Sequence, residues 1–241
     1  MFEIKEIVND QKNNFKSYEI ITNNQKIVGS FYAYDNQSHL ANKYLVINDN
    51  LITKEEVFSY IKLYFNKPLQ VMIDSTNVNI INTLLNANFK LVRKCYELEV
   101  FKRDLLSGKY QEVSFLKTNK NENIYNKIAY TSYNYYKNTH ESINPLNLSF
   151  EDYINLLPNN LYYHITKDNI INYVFEEDGE LCYFGGSDNI SFENFINSLL
   201  IKLFKYYSHM FFEIDSNDKV AIRMFNLFKK PKESYNTYIL K

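Results

Sequence analysis

Residues 180–228 open as Glu180-Leu-Cys-Tyr-Phe-Gly-Gly-Ser-Asp-Asn189, and the reading of this stretch decides the fold. Glu180 to Phe184 is short, apolar and aromatic, the composition of a half-buried strand. Gly185-Gly186 interrupts it, and Ser187-Asp188-Asn189 continues the turn chemistry. From Ser191 onward Phe192, Phe195, Ile196, Leu199, Leu200, Leu203, Phe204 and Tyr207 recur at i, i+3, i+4 and i+7. That spacing predicts one buried helical face, with Ser191 as N-cap. His209 to Ile214 reads as a second strand, and Asp215-Ser-Asn-Asp218 opens a second helix through Ala221, Ile222, Phe225 and Phe228. A glycine loop between a strand and a helix start leaves unpaired N–H groups, an arrangement that attracts phosphate.

Working outward, the first hundred residues begin as strands: Phe2 to Val8, Tyr18 to Thr22, Lys26 to Tyr34 and Lys43 to Ile47, separated by polar turns. A helix follows over Lys54 to Phe65, with Val57, Ile61, Tyr64 and Phe65 on one face. Gln70 to Ile73 is a strand, Asp74-Ser-Thr-Asn77 opens a helix through Leu85, and Leu91 to Phe101 is a further strand. Lys102 to Lys109, charged and containing Gly108, reads as a linker. Ile73-Asp-Ser75 corresponds to Ile214-Asp-Ser216, and the faces Val57/Ile61/Phe65 and Ile196/Leu200/Phe204 match at nearly the same offset. A period near 140 residues points to two copies of one domain, since solenoid periods are about 20–50. The copies are unequal. Helical stretches around Ile124 to Tyr136 and Phe150 to Leu157 have no counterpart in the first half.

The order strand, helix, helix, three antiparallel strands, helix, strand, helix, strand over residues 110–241 resembles the GNAT (GCN5-related N-acetyltransferase) family. The local support is Phe212-Glu-Ile-Asp-Ser-Asn-Asp-Lys-Val-Ala-Ile-Arg-Met-Phe225, a strand, an Asn-containing turn and a helix carrying an alanine and an aromatic. The resemblance implies a mixed α/β fold in two copies, a shortened one over 1–105 without chemistry and a working one over 110–241 that ends on a strand at Tyr235 to Leu240. It implies acetyl-CoA as cosubstrate, in a cleft between Glu180–Phe184 and Met210–Ile214. There the donor would meet Cys182, Tyr183 and Phe184 along the strand, much as an added strand does. Gly185, Gly186, Ser187, Ser191 and Asn194 would line its phosphates, and Asn217 would meet it at the start of the next helix, where a helix cap is the simpler account. The family's Gln/Arg-x-x-Gly-x-Gly/Ala motif falls on Ser191 to Ile196, which holds no arginine and no glycine. Phe225 stands where the family often has a tyrosine able to protonate the leaving thiolate. In the first half, Val46 to Thr53 has no glycine at all.

Acetyl transfer to an amine needs a proton acceptor, a proton donor and a donor to the carbonyl oxygen. Glu180 and Glu177 are the candidate bases, although Glu176-Glu-Asp-Gly-Glu180 also reads as a solvated turn. Tyr235 and Tyr238 are candidate acids, with packing as the simpler account in a chain of 22 tyrosines. His140, Glu141 and Tyr133 are the candidate acceptor-binding residues, by their place between and along the two extra helices. A surface loop is the simpler account of His140, and helix packing that of Tyr133. Cys182 has no partner in sequence that would make it a nucleophile.

With 45% hydrophobic residues, 22 Tyr and 18 Phe, the chain can build a sizeable core. A formal net charge of −1 speaks against nucleic acid as a partner. No run approaches the roughly 20 apolar residues of a membrane span. The two cysteines, Cys95 and Cys182, lack metal-ligand spacing, and the four histidines are scattered, so no metal is expected. Lone thiols and an N-terminus without a signal pattern suggest the cytoplasm. The leading expectation is an acetyl-CoA-dependent N-acyltransferase acting on an amine of a small molecule or peptide. The alternative is a non-catalytic acyl-CoA- or ligand-binding or structural module of the same fold, in which case a homodimer is a natural form.

Overall fold

A computed structural model of the chain describes residues 2–10, 15–47, 55–106, 108, 110–167 and 169–241. It divides into two compact units, one of residues 1–94, 141–147 and 235–241, the other of 95–140 and 148–234. The division falls at residues 94/95, 140/141, 147/148 and 234/235, and not within Lys102 to Lys109, the expected linker.

In the first unit, β1 (Phe2–Asp10), β2 (Phe15–Thr22), β3 (Ile27–Asn36) and β4 (His39–Ile47) form an antiparallel run. The expected strands all form, a few residues longer. Helix α1 (Val57–Phe65) follows, with Val57, Phe58 and Ile61 buried. Lys54, the expected start of this helix, lies outside the described residues. Strand β5 (Leu69–Asp74) then pairs in parallel with β4 from Lys43↔Leu69 to Leu45↔Val71. Helix α2 (Val78–Asn86) is capped by Asn77, whose side-chain oxygen accepts from Ile80 N–H. Its core gathers Tyr18, Ile20, Phe31, Ile61, Leu69, Val71 and Leu84.

Strand β6 (Lys90–Phe101) carries the chain onward, and its residues from Cys95 belong to the second unit. There follow β7 (Leu116–Thr118), α3 (Asn123–His140), α4 (Phe150–Leu156), β8 (Asn160–Thr166), β9 (Asn169–Glu177) and β10 (Glu180–Gly186). Then come α5 (Ile190–Leu203), β11 (His209–Asp215) and α6 (Lys219–Phe225). Strands β7 to β10 are antiparallel neighbours, β10 and β11 are parallel, and β11 pairs antiparallel with β6. Alternation sorts the two faces of this sheet. Val174, Leu181, Met210, Phe212 and Ile214 join Phe192, Phe195, Ile196, Leu199, Leu200 and Leu203 of α5 in one core. Burying each such side chain contributes about 1.5–3 kcal/mol, so the face anticipated for α5 anchors the unit. On the other face α3 and α4 bring Tyr125 against Phe175 and Tyr153 against Tyr183.

The last strand is β12 (Tyr235–Leu240), which pairs antiparallel with β5 from Tyr235↔Asp74 to Leu240↔Leu69. The sequence reading placed it at the end of the second copy; it lies instead in the first unit. The place beside β11 is taken by β6. Each unit thus completes its sheet with a strand from the other half of the chain, because a strand's alternation selects a face and not a neighbour.

Candidate functional site: a bulged, splayed strand pair

The parallel ladder of β10 and β11 has two steps, Glu180↔Phe211 and Leu181↔Phe212. It stops where β10 bulges. Against β9 the register runs Cys182↔Phe175 and then Gly185↔Tyr173, so Tyr183 and Phe184 together face Val174. Tyr183 takes φ +47°, a conformation non-glycine residues rarely adopt. A bulge bends its strand and disrupts the local ladder, and here it turns β10 away from β11. Past Leu181 the side of β10 facing β11 has no ladder.

Where the sequence predicts a phosphate loop, the chain fills the space with itself. A Cβ on Gly185 would sit 2.2 Å from the Tyr173 hydroxyl oxygen, and one on Gly186, at φ +150°, 2.4 Å from Asn172 Oδ1. The two glycines admit Tyr173 and Asn172. Asn172, fully buried, accepts from Ser187 N–H and donates to the carbonyl and hydroxyl oxygens of Ser191. The N-cap of α5 is Asn189, two residues before the expected Ser191, and its side chain accepts from Ser191 N–H at 2.8 Å. Phe192 N–H donates to the Asn189 carbonyl. Asp188 and Glu193 add negative charge, and Arg223 of α6 meets them at 2.9 and 3.3 Å. Asn194 accepts from Gln111 N–H, which ties α5 to the segment before β7.

The open end of the splay carries a cluster of hydroxyls and acids. Tyr135 of α3 donates to Asp218 Oδ1 at 2.5 Å. The same oxygen caps α6 by accepting from Val220 and Ala221 N–H. Burial pushes the Asp218 carboxyl above its ordinary range, against the pull of these donors. Asn217, anticipated at the cap, instead donates to the Thr139 carbonyl and fixes the end of α3. His140 is the last residue of α3 and is buried, not a surface-loop residue. Its ring stacks on Tyr136 at 3.9 Å, with Nε2 3.9 Å from Asp215 Oδ2. Tyr133 donates to the Leu148 carbonyl and packs on Phe150 and Tyr153, a joint between α3 and α4. Glu141 is exposed and belongs to the first unit.

Glu180 and Glu177 are exposed partners at the closed end of the splay. Glu213 of β11, which the sequence reading missed, joins them: it and Glu180 both act on the Cys182 thiol and the Tyr183 hydroxyl. The alternation of Phe211 and Glu213 with buried Met210, Phe212 and Ile214 was the signal that could have found it. Burial first, and then these glutamates, push the Cys182 thiol up to about 12, which makes it inert as a nucleophile. Tyr238 does not join this site. It stands opposite Val71 in the first unit, 3% exposed, inside that unit's core. Phe225 is a core residue against Tyr96. Among the described residues no group of His, Cys, Asp and Glu could hold a metal ion, and no helix is long and apolar enough to cross a membrane.

No protein-family model and no curated protein sequence matches the chain. Solved structures do. A GCN5-related N-acetyltransferase from Sphaerobacter thermophilus is 8% identical with a TM-score of 0.55, over 93% of this chain and 80% of that one. The chain has the GNAT acetyltransferase fold. A second GCN5-related N-acetyltransferase, from Kribbella flavida, is 11% identical with a TM-score of 0.53, over 89% and 88% of the two chains. A GNAT-family acetyltransferase from Colwellia psychrerythraea is 11% identical with a TM-score of 0.51, over 99% of this chain and 100% of that one. At such identities the likeness is one of GNAT architecture, and chemistry has to be argued from the residues of the splay.

Proposed function

We propose that the second unit is an acetyl-CoA-dependent N-acyltransferase acting on an amine of a small molecule or peptide. The observation that carries this reading is the end of the β10–β11 ladder at the bulge after Leu181, which leaves a strand edge able to bond an extended ligand. The donor's two ends fit differently. Its pantetheine arm suits the β10 edge at Cys182, Tyr183 and Phe184. Its diphosphate does not suit the start of α5, where Asn172 and Asn189 occupy N–H groups and two carboxylates face one arginine. When bound, the donor supplies an acyl group activated as a thioester. Glu180 and Glu213 are the groups of this chain that would take the proton of an ammonium acceptor, directly or through water.

A second reading, a non-catalytic acyl-CoA- or ligand-binding or structural module, is favoured by the self-filled loop and by Phe225 at the position of the family's acid. A thermal-shift titration with acetyl-CoA, with desulfo-CoA and ATP as controls, tests ligand binding. A native-state ligand at about 100 times its dissociation constant adds roughly 2.7 kcal/mol. A rise specific to the CoA compounds supports the proposal, after which E180Q and E213Q should each slow acetyl transfer by about 10²-fold or more. No shift at millimolar acetyl-CoA would leave the structural reading.

A further inference from the structure

We propose that His164 is a pH-sensitive latch on the loop at Gly185–Asn189, working through the side-chain amide of Asn172. With the His164 ring neutral the loop is held shut on Asn172; with the ring protonated the loop loosens. The latch acts on the ligand-free chain and does not depend on acyl-CoA binding.

His164 of β8 and Asn172 of β9 stand directly opposite one another in the ladder. Asn172 is fully buried, and its amide joins three places. Its oxygen accepts from Ser187 N–H at 3.0 Å, just past Gly186. Its nitrogen stands 3.2 Å from the Ser191 carbonyl, 3.1 Å from the Ser191 hydroxyl and 3.3 Å from His164 Nδ1. A backbone N–H only donates and a carbonyl only accepts, so Ser187 and Ser191 settle which end of the amide is which. One amide hydrogen then goes to Ser191 and the other to His164, where Nδ1 has to be an acceptor. The ring proton is left to Nε2, which has the Thr166 hydroxyl at 3.5 Å. The closed loop therefore requires a neutral His164.

Protonation gives Nδ1 a hydrogen that faces an amide hydrogen. Turning the amide over would satisfy the ring, but it would set the amide nitrogen against Ser187 N–H and its oxygen against the Ser191 carbonyl. Swinging the ring away would leave a buried amide hydrogen without its acceptor. Each outcome costs a buried hydrogen bond. The loss falls on the loop, because the β8–β9 ladder holds His164 and Asn172 in place. His164 is half-buried, stacked on Phe195 of α5, and burial holds its titration below the ordinary 6.5. Charged groups of the neighbouring elements are engaged elsewhere. Lys117 of β7 lies over the Tyr162 ring, Glu176 of β9 accepts from Asn160 and Gly179, and Asp188 and Glu193 meet Arg223. As pH falls the unfolded chain takes up this proton first. The stabilisation is therefore whole above about 6.5 and is lost as pH drops through the lower folded value.

Hydrogen exchange of the ligand-free full chain at about pH 7.5 and about pH 5, corrected for intrinsic rates, reads the latch at the amides of Ser187, Ser191 and Phe192. The expected result is protection about 10-fold lower at the acid pH for these amides, with Leu199 to Leu203 changed by less than about twofold. H164F keeps a ring against Phe195 and removes both nitrogens. Its loop protection should be the same at both pH values, near the acid level of the natural chain. Equal protection of the natural chain at both pH values would overturn the latch. So would a loss in H164F as large as in the natural chain, which would place the titration in another group. If H164F does not fold, nitrogen NMR of the natural chain decides: the neutral His164 ring should carry its proton on Nε2, and a proton on Nδ1 would overturn the latch.

Discussion

The pair β4–β5 in the first unit and the pair β10–β11 in the second are built alike and differ at one point. Both are parallel, both enclose a helix, and both have a second helix after the second strand. Strand β4 shifts its register with β3 before Tyr44, and from Tyr34↔Tyr44 to Phe31↔Ile47, alongside β5 and up to its end, the pairing is regular. Strand β10 gains a residue at Tyr183–Phe184 and then runs into two glycines. One extra residue turns β10 off its neighbour past Leu181, whereas Tyr44, Leu45 and Ile47 of β4 are simply core. The fold supplies a parallel pair in either unit, and the bulge is what makes one of them a candidate site.

The largest effect tests the units themselves. Residues 1–105 alone lack β12, and with it buried Tyr238 and Ile239, each about 1.5–3 kcal/mol of burial against a total stability of about 5–15 kcal/mol. We expect no cooperative thermal transition by circular dichroism from 1–105, and from a chain ending at 234 only the transition of the second unit, which that truncation leaves whole. A cooperative melt from 1–105 would show that the first half completes its own sheet. Next in size is G186A, which combines φ +150° with a Cβ 2.7 Å from the Ile171 carbonyl oxygen. Urea denaturation should show a loss of about 3 kcal/mol; a loss under about 1 kcal/mol would mean the loop is less tightly filled than described.

A smaller effect separates the donor's two ends. E193Q removes one of the two carboxylates at the start of α5 and leaves Arg223 less engaged. Affinity for acetyl-CoA should rise about threefold to tenfold at low salt, less at high salt, and affinity for S-acetylpantetheine should not move. Equal gains for both would place the diphosphate elsewhere. The smallest effect is in pH. Because burial raises the folded Asp218 pKa above its unfolded value, the unfolded chain ionises first as pH rises from about 3.8. Stability is therefore lost between that pH and the folded pKa, and held at the lower level above it. D218N, which keeps a capping oxygen, should lack this loss, so its unfolding temperature relative to the natural chain should climb across that window. A constant difference would contradict the raised pKa.

Local pattern made much of this legible. The spacing of Phe192, Phe195, Ile196, Leu199, Leu200 and Leu203 specifies α5, and turn residues bound nearly every strand, because helix period and turn chemistry are short-range. The partner of β12 was not legible, since Tyr235 to Leu240 alternates correctly for either unit and pairing is decided by distant residues. Nor was the filling of the loop: Asn172 and Tyr173 lie 13 and 12 residues before Gly185 in sequence and reach the glycine loop only through the β9–β10 pairing. His140 looked like a loop residue because Glu141 and Ser142 follow it, yet stacking on Tyr136 one turn earlier keeps it helical. Gly185-Gly186 reads in sequence as a loop with free N–H groups, and in the structure the missing Cβ atoms make room for Tyr173 and Asn172.

Hydrogen exchange of the full chain with and without acetyl-CoA tests the comparison most directly, because it reads both strand pairs in one sample. The account predicts slowed exchange of amides at 182–187 and 213–215 on adding acetyl-CoA, and unchanged exchange at 44–47 and 72–74. Protection at 44–47, or none at 182–187 with saturating acetyl-CoA, would contradict it.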